Sequence, residues 1–183
     1  MPLGTPDHEL ARKARSDDAA FDELVLRHRG RTYAVALRLC RNPDDAEDAL
    51  QETFIKAHRA LHHFDGRAQF STWLHRIAVN ACYDLISKRR ESVALESVAE
   101  PASPDDPYEA SDRRARLLAA VDALPDPFRE AAVLCDIAGL TPAEAGELTG
   151  TPEGTMKSRS YRARALLVTA LREPSEGEGG QSG

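Results

Sequence analysis

Aromatic side chains are scarce in this sequence, at 5% of 183 residues, and nowhere does a Val/Ile/Thr run alternate with polar residues between turn signals. Both absences argue against a sandwich or barrel of strands. Cysteine is sparse as well. Cys40, Cys82 and Cys135 are odd in number, far apart and without a CxxC pair. That pattern argues against a disulfide framework or a zinc knuckle and leaves free, buried thiols in a reducing compartment. No stretch approaches the roughly 20 apolar residues of a membrane span, and the start, MPLGTPDHELARK, lacks the apolar core of a signal peptide. A soluble, cytoplasmic protein without direct membrane insertion is expected. His58, His62 and His63 lie near Asp65, but no Glu-x-x-His motif and no Gly-rich phosphate loop occurs. No enzyme, metal centre or cofactor is therefore expected.

Helical periodicity is what remains. Apolar residues make up 42% of the chain and recur three and four apart. The expected fold is all-α: two small helical domains joined by an extended acidic linker, the C-terminal one containing a helix-turn-helix. The boundary falls at ESVALESVAEPASPDDPYEASD, Glu91 to Asp112, where three prolines and seven carboxylates leave too little apolar surface to bury. Residues 1–90 then form the first domain, 91–112 the linker, 113–172 the second domain and the Gly/Ser/Glu-rich 173–183 a disordered tail. In the first domain a short helix from about Asp7 precedes a long one with Phe21, Leu24, Val25, Tyr33, Leu37 and Cys40 mostly inward. Asn42 is placed to cap the next helix, with Pro43 at its first position and carboxylates in its first turn. After the loop HHFDGRAQ comes a helix from Phe70. Four helices are expected in the second domain, over Ser111–Ala123, Pro127–Ala138, Pro142–Thr149 and Pro152–Leu171.

The formal net charge is -6, yet TPEGTMKSRSYRAR, Thr151 to Arg164, gathers Lys157, Arg159, Arg162 and Arg164 around Tyr161. Just upstream, Thr141, Pro142 and Glu144 spell a capping box and Gly150 a stop, so two capped helices join in a tight turn. At about 100° per residue, Met156, Ser160, Ala163 and Leu167 turn inward. The opposite face carries Lys157, Ser158, Tyr161 and Arg162, flanked by Arg159 and Arg164. That set suits base edges in a major groove, with the flanking arginines on phosphates. A lone basic helix is more often a solvated face; the turn motif tips the reading toward DNA. On the helix from Phe70, Phe70, Leu74, Ile77, Ala81 and Leu85 share the core face. Trp73, Arg76, Asn80, Tyr83 and Ser87 share another, an aromatic and polar stripe of the kind single-stranded DNA stacks on. Trp73 taken alone fits a core position equally well. In the preceding helix Asp48, Gln51, Glu52 and Ile55 cluster opposite the core residues. Such a patch is usually solvated, but with Ile55 as anchor it also fits a basic protein surface.

In their order along the chain these stretches resemble the extracytoplasmic-function (ECF, group IV) sigma factors of bacterial RNA polymerase. DAEDALQETFIKAHRAL is similar to the family's polymerase-binding helix, FDGRAQFSTWLHRIAVNACYDLISKRR to its promoter-melting segment, and ALPDPFREAAVLCDIAGLTPAEAGELTGTPEGTMKSRSYRAR to its −35-reading domain. The resemblance implies promoter DNA and core RNA polymerase (clamp helices and flap) as partners, and an anti-sigma factor as regulator. Lys157, Ser158, Tyr161 and Arg162, with Arg159 and Arg164, would read the −35 element. The loop from Phe64 through Arg67 to Gln69 would help capture a flipped −10 base, with Trp73, Arg76 and Asn80 beneath it. Asp48, Gln51, Glu52 and Ile55 would meet the polymerase, and the acidic linker would run through its RNA-exit path. Ala145, Gly146 and Thr149 depart from the family pattern of two large apolar residues around an alanine. A helix-internal Gly costs roughly 1 kcal/mol against Ala, which predicts a looser small domain. Glu153 also departs, setting a negative charge near the DNA. The alternative is a helix-turn-helix repressor with an N-terminal sensing or dimerising domain. It leaves the stripe and the acidic patch unassigned.

Overall fold

Local capping chemistry decides where several of the helices begin. In the computed structural model, which describes residues 5–93 and 112–172, α1 spans Asp7–Lys13 and α2 Asp18–Cys40. Asp17 caps α2 by accepting from the Ala19 amide at 3.0 Å. Its carboxyl is held below the usual aspartate value, chiefly by the Lys13 ammonium. Arg41 closes α2 in the left-handed region, φ 54. The α3 helix, Pro43–Ala60, starts as expected: Asn42 Oδ1 accepts from the Asp44 and Asp45 amides at 2.9 and 3.0 Å. A single 3-10 turn, Leu61–His63, leads to the loop before α4, Phe70–Val93.

The second domain contains α5 (Asp112–Asp122), α6 (Asp126–Ala131), α7 (Pro142–Thr149) and α8 (Glu153–Arg172). The end of α6 widens into a π turn, Ala132–Ile137, closed by Ala138 N–H donating to the Val133 carbonyl at 2.8 Å. All regular structure among the described residues is helical, as the periodicity predicts. The α4 helix runs past the expected boundary at residue 90, so the linker's first residues are helical. Its residues 94–111, and the tail from 173, lie outside the described residues.

Burial follows the expected face on α4 and marks out one face of α3. Ala46, Leu50, Thr53, Ala57 and Leu61 are buried, as are Phe70, Leu74 and Ala81. In α2 the pattern is broader than one stripe, because His28, Thr32 and Arg38 are also buried. Two neighbours cover that extra face. From α1, Asp7 Oδ2 sits 2.7 Å from His28 Nε2; from the second domain, Asp122 meets Arg38. The thiols correct one expectation, since only Cys82 is fully buried while Cys40 and Cys135 are partly exposed. Contact with the Cys40 thiol and burial raise the Cys82 pKa; burial raises that of Cys135. Both stay protonated at neutral pH and pack as small apolar side chains.

Candidate nucleic-acid interface

The turn motif is assembled from backbone-level constraints. Thr141 Oγ1 accepts from the Glu144 amide at 3.2 Å while the Thr141 amide donates to Glu144 Oε2 at 2.7 Å, completing the capping box. Gly150 ends α7 in the left-handed region, φ 66, the conformation that favours glycine. Gly146 has a packing reason. A Cβ there would lie 2.5 Å from the Thr151 carbonyl oxygen, and the Thr151 amide donates to the Gly146 carbonyl at 2.9 Å. Only glycine lets the turn fold this closely onto α7, so the expected looseness gives way to a tight corner.

On α8, Met156, Ser160 and Ala163 are buried and Leu167 half-buried, the inward face read from periodicity. Lys157, Ser158, Tyr161 and Arg162 are exposed together, with the Tyr161 side 75% open to solvent. The two flanking arginines differ from them. Arg164 pairs with Asp136 of the π turn at 2.6 Å. Arg159 turns toward a cleft it shares with Tyr83, Arg41 and Glu130 and donates to Thr151 Oγ1 at 3.4 Å. It lies off the outward face.

The α4 stripe is divided. Asn80 and Arg76 are exposed, and Arg76 Nη1 pairs with Glu144 of α7 at 3.0 Å. Trp73 is half-buried, its ring 5.3 Å from Phe64 and 5.5 Å from Phe70. Phe64 is 5% exposed. Its ring is therefore a floor under Trp73 rather than a surface for a base, because Phe70 and Trp73 enclose it. The following loop stays outside. Asp65 Oδ1 accepts from the Arg67 amide at 3.0 Å, Gly66 takes φ 77, and Arg67 and Gln69 are exposed. A hollow of about 330 Å³ beside it is lined by Asp7, His8, Arg67 and Gln69 among others.

On α3, Asp48, Gln51 and Ile55 are exposed, Ile55 by 45%, and Glu52 is partly exposed beside Lys56 at 3.5 Å. The four form one continuous surface. The histidines near Asp65 do not assemble into a metal centre. His58 lies edge-on to Phe21 at 4.7 Å, and no group of three or more His, Cys, Asp or Glu fit to hold a metal occurs among the described residues. No helix among them is long and apolar enough to cross a membrane.

Comparison with known proteins gives this geometry a family. Residues 24–92 match the family model Sigma-70 region 2, and residues 114–167 match Sigma-70, region 4. The ECF RNA polymerase sigma factor SigE of Mycolicibacterium smegmatis is 40% identical over 185 residues, 95% of this chain and 71% of the relative. The chain belongs to the ECF RNA polymerase sigma factors. SigM of Mycobacterium tuberculosis is 37% identical over 169 residues, covering 88% of this sigma factor and 82% of the relative. Among solved structures, the sigma factor RpoE in complex with the anti-sigma factor NepR from Bartonella quintana is 30% identical with TM-score 0.57. That match covers 83% of this chain and 96% of the other. CnrH, in complex with the cytosolic domain of CnrY, is also 30% identical, with TM-score 0.53 over 90% and 96% of the two chains.

Sequence reasoning missed the contacts between the two regions of this sigma factor. Tyr83 was readable as part of the α4 stripe, but its partner Glu130, reached at 2.6 Å, lies 47 residues further on. No local pattern pairs residues so far apart.

Proposed function

We propose that this sigma factor binds core RNA polymerase in the cytoplasm and directs promoter-specific initiation, reading the −35 element as duplex and the −10 element as single strand. One observation carries the reading: two exposed DNA-suited surfaces sit on separate domains, Lys157, Ser158, Tyr161 and Arg162 on α8, and Arg67, Gln69, Arg76 and Asn80 around α4. A side chain in a major groove needs no strand opening, whereas an amide and cations beside a half-buried tryptophan suit an unpaired base. The hollow beside Arg67 and Gln69 takes the extruded base. Arg164, exposed beside the α8 face, serves a phosphate; Arg159, turned into the cleft, does not. Asp48, Gln51, Glu52 and Ile55 dock on the clamp helices, and the C-terminal domain meets the flap. An anti-sigma factor holds the chain inactive, in keeping with the NepR-bound relative. The chain itself carries no catalytic step; the polymerase supplies the chemistry.

Core polymerase with the wild-type chain should give promoter-specific transcripts. The variant with Asp48→Lys and Glu52→Lys should lose association in a pull-down while keeping its helical circular dichroism. A repressor would give no transcripts, and normal association of the variant would return the α3 patch to plain solvated surface.

A further inference from the structure

We propose that Cys40 and Cys82 form an oxidation site: Cys40 reacts with a small, carboxylate-bearing disulfide of the glutathione class, and Cys82 then completes a Cys40–Cys82 link. The site stands apart from the promoter reading and does not depend on it. Its geometry comes from the register of two helices. The rings of His28 on α2 and Phe70 on α4 lie 5.1 Å apart. Cys40 and Cys82 each stand twelve residues further on, about 18 Å along either axis. Val35 and Val79, part-way up, share one apolar cluster, so the two helices run alongside in the same direction. At the far end Ala36, Leu37 and Cys82 are buried together, with Cys40 packed against them. There the Cys82 thiol donates to the Cys40 sulfur.

The two sulfurs differ in access. Cys82 is fully buried, whereas Cys40 is partly exposed. Cys40 opens on a cleft of about 420 Å³ whose walls also carry Arg38, Arg41, Arg129 and Arg159, against Asp126 and Glu130. Asp126 is shared between Arg41 and Arg129, and Glu130 accepts from the Tyr83 hydroxyl. Four guanidiniums facing two carboxylates leave a positive excess, which draws in a reagent that bears carboxylates of its own. The volume suits a tripeptide-sized molecule.

The exchange balances in two steps. The Cys40 sulfur, having given up its proton, attacks one sulfur of glutathione disulfide. A new S–S bond forms as the reagent's own breaks, and the departing glutathione thiolate takes up a proton. The Cys82 sulfur then attacks that of Cys40 and expels the second glutathione, which takes the proton Cys82 gives up. The two protein thiols are oxidised by two electrons, and one glutathione disulfide is reduced to two thiols. The pair itself sets the order. The neighbouring Cys40 sulfur, more than burial, raises the Cys82 pKa. That hold ends once Cys40 carries glutathione instead of negative charge. In a reducing compartment the link is transient, as oxidation-sensing disulfides there are.

The full reduced chain is mixed with glutathione disulfide in the absence of oxygen, stopped with iodoacetamide and read by peptide mass spectrometry. Glutathione should appear first on Cys40 and then give way to the Cys40–Cys82 link. Cys135 is the reference within the same chain, since it is also partly exposed but is held protonated by burial and by Asp136 beside it. Cys40 should react at least about tenfold faster than Cys135. Cys82→Ala, its helical circular dichroism checked, should keep glutathione on Cys40 and form no link. Cystamine, which bears ammonium groups where glutathione bears carboxylates, probes the cleft. With each reagent's rate divided by its rate on free cysteine, Cys40 should favour glutathione disulfide by about tenfold or more. An adduct on Cys40 that never passes to Cys82 overturns the site, as does a Cys135 rate equal to that of Cys40. Equal normalised rates for the two reagents overturn the anionic class of its ligand.

Discussion

Arg162 and Arg164 stand two positions apart on α8 but in different surroundings. Arg162 is exposed on the outward face beside Tyr161 and Lys157. Arg164 is held by Asp136, whose carboxylate raises the guanidinium's already high pKa. A free guanidinium on a recognition face can bond two acceptors of one guanine, so Arg162→Ala should cost about 1–3 kcal/mol of discrimination between the cognate −35 duplex and one with a changed base pair. Arg164→Ala should weaken both duplexes equally, as loss of a phosphate contact does. Competition binding with the two duplexes measures the ratio. An unchanged ratio for Arg162→Ala would show that α8 reads DNA through some other face. Gly146 makes a related point about single residues. Its cost inside a helix is readable from sequence, but its reason, the Thr151 carbonyl in the space a Cβ would fill, exists only once the turn has closed.

Among elements, α3 depends most visibly on one cap. Asn42 Oδ1 satisfies two amides that the helix cannot bond internally. Asn42→Ala should therefore lower stability by about 1 kcal/mol, and Asn42→Asp, which keeps the acceptor, by much less. Thermal denaturation followed by circular dichroism compares them; equal midpoints for the two variants would mean the cap contributes nothing beyond the helix's packing. The capping box of α7 adds a pH dependence. The Thr141 backbone amide, more than any other group, holds the Glu144 carboxyl below its usual value. Its contribution is thus complete at neutral pH and is lost as pH falls below the ordinary glutamate range. Caps and faces of this kind were legible in the sequence because they join residues within one or two turns: Asn42 to Asp45, Thr141 to Glu144, Met156 to Ala163. Phe64 was not. It stands in a polar loop, and only the convergence of Phe70 and Trp73 on it places it in the core. The Arg38–Asp122 pair, 84 residues apart, was equally out of reach of any local pattern.

At the scale of the whole molecule, the two DNA-binding modes proposed for this chain must respond differently to strand opening. Asn80 is exposed on α4 and Trp73 is half-buried against the Phe64 and Phe70 rings, so the surface offers an amide and a partly exposed indole beside Arg76. Duplex DNA cannot use that surface while its bases stay paired. Extruding a base costs a few kcal/mol, which stacking and hydrogen bonds at the site must return. A lost side-chain hydrogen bond there removes about 1 kcal/mol or more of that return. Asn80→Ala should accordingly slow open-complex formation strongly on a closed duplex promoter. On a template already unpaired over the −10 region the same variant should be impaired much less, since the opening is already done. Arg162→Ala should weaken both templates alike, because its element stays double-stranded throughout. The ratio of open-complex formation on the two templates, measured for each variant, separates the modes. Equal loss on both templates for Asn80→Ala would mean that the α4 stripe binds DNA without helping to open it.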